Sequence, residues 1–77
     1  MAAYIGLHNV CDLRVKLCGY KQRSNNGAIR NWSYTVDVLD GDGKLLSELN
    51  LYAKDRLPVL DALVDAAAGD VVYWDVD

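Results

Sequence analysis

From Leu13 onward apolar side chains recur at every second position, and a single segment of the chain departs from that period. Leu13, Val15 and Leu17 alternate with Arg14, Lys16 and Cys18, and Trp32, Tyr34, Val36 and Val38 alternate with Ser33, Thr35 and Asp37. Residues 45–53 resume the alternation, with Leu45, Leu49, Leu51 and Ala53 on one face and Leu46, Glu48, Asn50 and Tyr52 on the other. A period of two is that of a strand with one face toward a core, so the chain must build a sheet. Gly19 loosens the first strand, and the polar segment Lys21 to Arg30 contains Asn26-Gly27, a pair suited to the positive φ of a hairpin turn. Asp40-Gly41-Asp42-Gly43 is the strongest turn signal in the chain.

Between Asp55 and Gly69 the spacing becomes three and four. Leu57, Leu60, Leu63, Val64 and Ala67 share one side and Asp61 and Asp65 lie on the opposite one. Asp55 is expected as the N-cap, Pro58 in the first turn and Gly69 as the C-cap, which predicts an amphipathic helix of about a dozen residues, roughly 18 Å long. Val71 to Val76, β-branched and aromatic, reads as a last strand. The order β-β-β-α-β implies an α+β two-layer domain spanning residues 1–77: a mainly antiparallel four-stranded sheet with one helix on one face. The sheet becomes five-stranded if Tyr4 to Val10 adds a strand.

One helix covers one side of such a sheet, yet the last strand is apolar on both, with Val72, Trp74 and Val76 on one face and Val71 and Tyr73 on the other. That other face also shows Leu46, Tyr52 and Tyr20, among Arg14, Lys16 and Glu48. The N-terminal dozen residues, a second copy or a partner must cover what the helix leaves open.

Seventy-seven residues, 52% of them apolar and 25% charged, make one small domain. A chain of this size buries only about 60% of its unfolded surface, which leaves little for a deep cleft. Residues 1–11 have no basic n-region or cleavage site and are interrupted by Gly6, His8 and Asn9, so neither a signal peptide nor a membrane span is expected. A cytoplasmic protein with free thiols at Cys11 and Cys18 follows, and Asn31-Trp32-Ser33 is then a chance match to a glycosylation acceptor.

Catalytic and cofactor readings fail on residue types. A nucleophile activated by imidazole would have to use His8, the one histidine, with Cys11 or Cys18, and nothing positions an oxyanion hole. The same three residues fall short of a zinc site. A calcium loop begun at Asp37 puts Leu39 and Gly41 at ligand positions and Asp42 where the turn glycine belongs; begun at Asp40, it puts Lys44 at a ligand position. No phosphate-binding loop precedes the helix. A non-enzymatic protein without metal or cofactor is the expectation.

Charge is more informative. Residues 1–31 hold five basic residues against one acidic, and residues 32–77 hold three against ten, so the net charge of −3 conceals a polarity along the chain. Asp61, Asp65, Asp75 and Asp77 are candidate contacts to a basic groove, and Lys21, Arg23 and Arg30 to an acidic patch, with Tyr52 and Tyr73 as aromatic anchors. The basic hairpin also offers an alternative function, single-strand or RNA binding, which the acidic pI of about 4.8 disfavours. A structural homodimer is a third.

A single small acidic domain, poor in cysteine and built as hairpin, hairpin, helix and strand, resembles the small phage-encoded inhibitors, anti-CRISPR proteins in particular. The resemblance rests on size and layout over the whole chain and carries no site residue across. It implies a protein, monomeric or homodimeric, that docks on a CRISPR effector or another nucleic-acid-processing complex in the host bacterial cytoplasm. There it would block nucleic-acid binding or nuclease recruitment.

Overall fold

The computed structural model describes residues 6–76; residues 1–5, residue 77 and the Asn25 side chain lie outside the described residues. Four strands, β1 (Asp12–Gln22), β2 (Ala28–Leu39), β3 (Leu45–Ala53) and β4 (Asp70–Val76), and one helix, α1 (Pro58–Ala66), follow in the predicted order. They form an α+β fold with one sheet, in the order β3-β2-β1-β4. The sheet is mixed: β1 with β2 and β2 with β3 are antiparallel, but β4 lies parallel to β1. Because β3 therefore runs in the same direction as β4 from the opposite edge, their connection has to cross a face of the sheet. Helix α1 is that crossing, and it comes to rest over the two central strands.

Both turns follow from their residues. Asn26 and Gly27 adopt φ 56° and 75°, closing a hairpin that includes a 3₁₀ turn at Arg23–Asn25. In the Asp40 turn the Oδ1 of Asp40 accepts from the backbone N–H groups of Asp42 and Lys44, each at 2.9 Å, and Gly43 takes φ 77°. The carboxylate is occupied with its own turn, as Asx chemistry dictates.

The core lies between α1 and the sheet face formed by Val15, Leu17, Tyr34 and Val36, closed by Val64 and flanked by Leu13, Trp32, Leu60, Leu63 and Ala67. Leu17 and Tyr34 are fully buried. Leu57, expected on this face, instead sits at the N-cap position and stays exposed.

The helix ends differ from expectation. Asp55 does not cap; the cap residue is Leu57, without a side-chain cap bond, and its N–H donates to the Tyr34 hydroxyl at 3.1 Å. At the C-terminus the left-handed residue is Ala68, φ 50°, with Ala68 N–H donating to Asp65 O and Gly69 N–H to Val64 O, which is the Schellman pattern. Gly69 serves a close approach: a Cβ there would stand 2.2 Å from the Val15 carbonyl oxygen. β1 also runs on through Gly19, where a Cβ would meet the rings of Trp32 and Tyr73 at 2.8 and 2.9 Å. The missing side chain lets those rings meet edge to face across the strand, centroids 6.0 Å apart.

No strand forms in residues 6–10, and Gly6 to Cys11 are exposed; Tyr4 and Ile5 lie outside the described residues. A register shift at Val38/Leu39 pairs Leu45 with Leu39 and removes it from the row of Leu49 and Leu51. Among the described residues no helix is long and apolar enough to cross a membrane.

Candidate binding face

The sheet face opposite α1 is set by the pairing register. From β3 toward β4 its successive rows are Glu48, Asp37 and Arg14, then Asn50, Thr35, Lys16 and Asp70, then Tyr52, Ser33, Cys18 and Val72, then Asn31, Tyr20 and Trp74. The face is thus divided along the strands, polar and charged at one end and aromatic at the other. Trp74 and Tyr52 expose 61% and 70% of their surface, more than any large apolar side chain in the core-facing rows. Tyr20 is tied down by a 2.9 Å hydrogen bond between its hydroxyl and that of Ser33. Cys18 is buried as a free thiol beneath this end, and Cys11 is a second free thiol, exposed.

At the charged end, Arg14, Lys16, Thr35, Asp37, Glu48 and Asp70 line a shallow depression. The Oδ1 of Asp37 is buried there with no hydrogen-bond partner.

The residues singled out in the sequence fall in three separate places. Asp61 is drawn into the fold: its Oδ1 accepts from the Tyr34 hydroxyl at 2.6 Å and from Arg56, whose guanidinium also lies 5.3 Å from the Trp32 ring centre. The Tyr34 hydroxyl bond, with Arg56 adding to it, holds the Asp61 carboxyl below its usual range. Burial, then the bond to Asp61, raises the Tyr34 phenol. Asp65 stands exposed one helical turn on.

Lys21, Arg23, Tyr73 and Asp75 converge at one end of β1 and β4. Lys21 Nζ lies 4.8 Å from the Tyr73 ring centre and Arg23 reaches Asp75 at 3.9 Å. Acidic and basic candidates are therefore interleaved rather than assembled into opposed patches. Arg30 donates to Asn31 Oδ1 at the β2 bulge, and Asp77 lies outside the described residues. Tyr52 and Tyr73 occupy opposite faces, so they do not form one anchor pair. Trp74, absent from the candidate set, is the large aromatic that joins Tyr52 on the open face; the two-sided apolar pattern of residues 71–76 was its signal.

No protein-family model matches this chain, and no curated protein and no solved structure matches it.

Proposed function

We propose that this chain is a non-enzymatic binding protein that docks on a protein partner through the open face of its sheet. The partner we propose is a component of a nucleic-acid-processing complex such as a CRISPR effector, as for the phage-encoded inhibitors the chain resembles. The observation that carries the reading is the exposure of Trp74 and Tyr52 on a face that no described segment covers. Amphipathic aromatics with low rotamer entropy are the side chains that dominate protein interfaces. The charged groups of Arg14, Lys16, Glu48 and Asp70 add polar fixing points at the other end of the face.

Charge favours protein over nucleic acid as the occupant. An aromatic sheet face can stack bases, but stacking platforms sit in positive grooves. Here Arg14 and Lys16 are outnumbered by Asp37, Glu48 and Asp70. The basic hairpin is no better placed, because Lys21 and Arg23 already face Tyr73 and Asp75.

The test compares the tagged wild type with a Tyr52→Ala/Trp74→Ala variant in bacterial lysate and in a DNA-binding assay of the complex captured. Both side chains are exposed, so the fold should survive. The expected result is at least about a tenfold loss of affinity and loss of the block to nucleic-acid binding. A variant that captures and blocks as the wild type does removes this face from the function.

A further inference from the structure

Among the described residues the sheet has two unpaired edges, and they differ. β3 presents nine residues containing one charge, Glu48, and no proline. Natural edge strands are ordinarily blunted by lysine, proline or inward charge, because a row of unpaired N–H and C=O groups invites another strand. β3 has no such protection along its length and also carries uncovered apolar surface: α1 rests over β1 and β2, leaving Leu49 and Leu51 44% and 40% exposed on the helix side. The β4 edge is guarded by Asp70 and Asp75.

We infer that β3 pairs antiparallel with β3 of a second copy of this chain, joining two sheets into one of eight strands. A two-fold axis through Asn50, perpendicular to the sheet, gives a self-complementary register. Leu49 faces Leu51 of the second copy, and Leu51 faces its Leu49, so four leucines meet on the helix side. On the other side Asn50 meets Asn50 and Glu48 meets Tyr52, and within β3 no like charges are opposed. Centring the axis on Glu48 would oppose two carboxylates, and centring it on Leu49 or on Leu51 would set the other leucine against Ser47 or Ala53 and break up the four-leucine contact. Thr35 Oγ1 already donates to Asn50 Oδ1 at 2.9 Å, which orients the amide on the open side of the strand. The two helices stand on one side of the joined sheet and both open faces on the other, so the docking faces stay on the surface, with Tyr52 of each copy at the seam beside Glu48 of the other.

Sedimentation of the full chain up to about 100 μM is expected to show a dimer, and Leu49→Lys to weaken it at least tenfold while circular dichroism and melting stay those of a folded monomer. Trp74→Lys and Val71→Lys should leave the dimer intact. In a Cys11→Ser background, Asn50→Cys should form a disulfide-linked dimer on mild oxidation, because only the residue on the axis meets itself; Ser47→Cys should not. A chain that stays monomeric at that concentration overturns the inference. So does a dimer that survives Leu49→Lys, or one that Trp74→Lys abolishes, which would put the interface on the open face instead.

Discussion

Tyr34 performs three tasks with one side chain. Its ring fills the centre of the core, its hydroxyl donates to Asp61 and the same oxygen accepts the Leu57 N–H at the start of the helix. Tyr34→Phe keeps the packing and removes both bonds, leaving an unmatched N–H at the cap, and should cost about 1–3 kcal/mol in urea unfolding at pH 7. The sign of the acid dependence follows from Asp61. Its folded carboxyl titrates below the unfolded value near 3.8, so the stability it contributes is complete above that pH and disappears as pH falls through the lower, folded value. Tyr34→Phe removes the principal cause of that depression. Stability measured between pH 7 and pH 3 should therefore fall less steeply in the variant than in the wild type, and parallel slopes would show the bond to be energetically idle. At the alkaline end the raised phenol acts in the opposite sense, its stabilisation present up to the ordinary tyrosine range and lost as pH rises through the folded value. The same network makes Asp61 unsuitable for a charge-reversal test of binding; Asp65 and Asp75, both exposed, can be reversed without disturbing a core contact.

Two adjacent residues decide how α1 returns the chain to the sheet. Ala68 takes the left-handed conformation that costs an L-residue about 1–2 kcal/mol, whereas Gly69 next to it is required for space. Ala68→Gly should therefore stabilise the protein by about 0.5–1 kcal/mol after the extra unfolded-state entropy of glycine. Gly69→Ala should destabilise it by more than about 2 kcal/mol, since the Val15 carbonyl is backbone and cannot swing aside. Equal and small effects in thermal melts would contradict this division of roles. The pair also marks how far local sequence reading reaches. A glycine after a helical period points to a C-cap, and the strands, turns and helix were legible because alternation, Asn-Gly, Asp-Gly and the three-four spacing are local signals. What lay out of reach was set by distant partners. The N-cap was misread at Asp55 because the group serving the first turn comes from β2, and Gly69 because the atom it avoids belongs to β1. The parallel docking of β4 beside β1 likewise depends on where a crossover lands, which nearest-neighbour pattern does not encode. For the candidate face, the surplus apolar surface of residues 71–76 was legible, but Tyr52 and Tyr73 do not share a face, because the face each takes is set by the register of β3 on β2 and of β4 on β1.

Across the whole molecule, the charge polarity that runs along the sequence is largely undone by topology. The basic strand β1 is central, not peripheral, so its cations meet acidic neighbours on both sides: Arg14 pairs in register with Asp37, Lys16 with Asp70 and Lys21 with Asp75. Arg23 and Arg56 find Asp75 and Asp61. Each exposed pair contributes little stability, commonly under about 1 kcal/mol, but together they erase the long-range field that a basic end would project. At about 10 mM salt the screening length, about 30 Å, exceeds the 21 Å thickness of the molecule. A resin then senses the summed charge of a face rather than single residues. The wild type should therefore bind an anion exchanger and pass through both a sulfonate column and single-stranded DNA cellulose. Asp70→Asn/Asp75→Asn, which strips β4 of the carboxylates beside Lys16, Lys21 and Arg23, should gain retention on the sulfonate column although its net charge is still negative. If the wild type is already held there, the basic cluster survives folding, and the interleaving of β1 and β4 does not govern how this protein meets a charged partner.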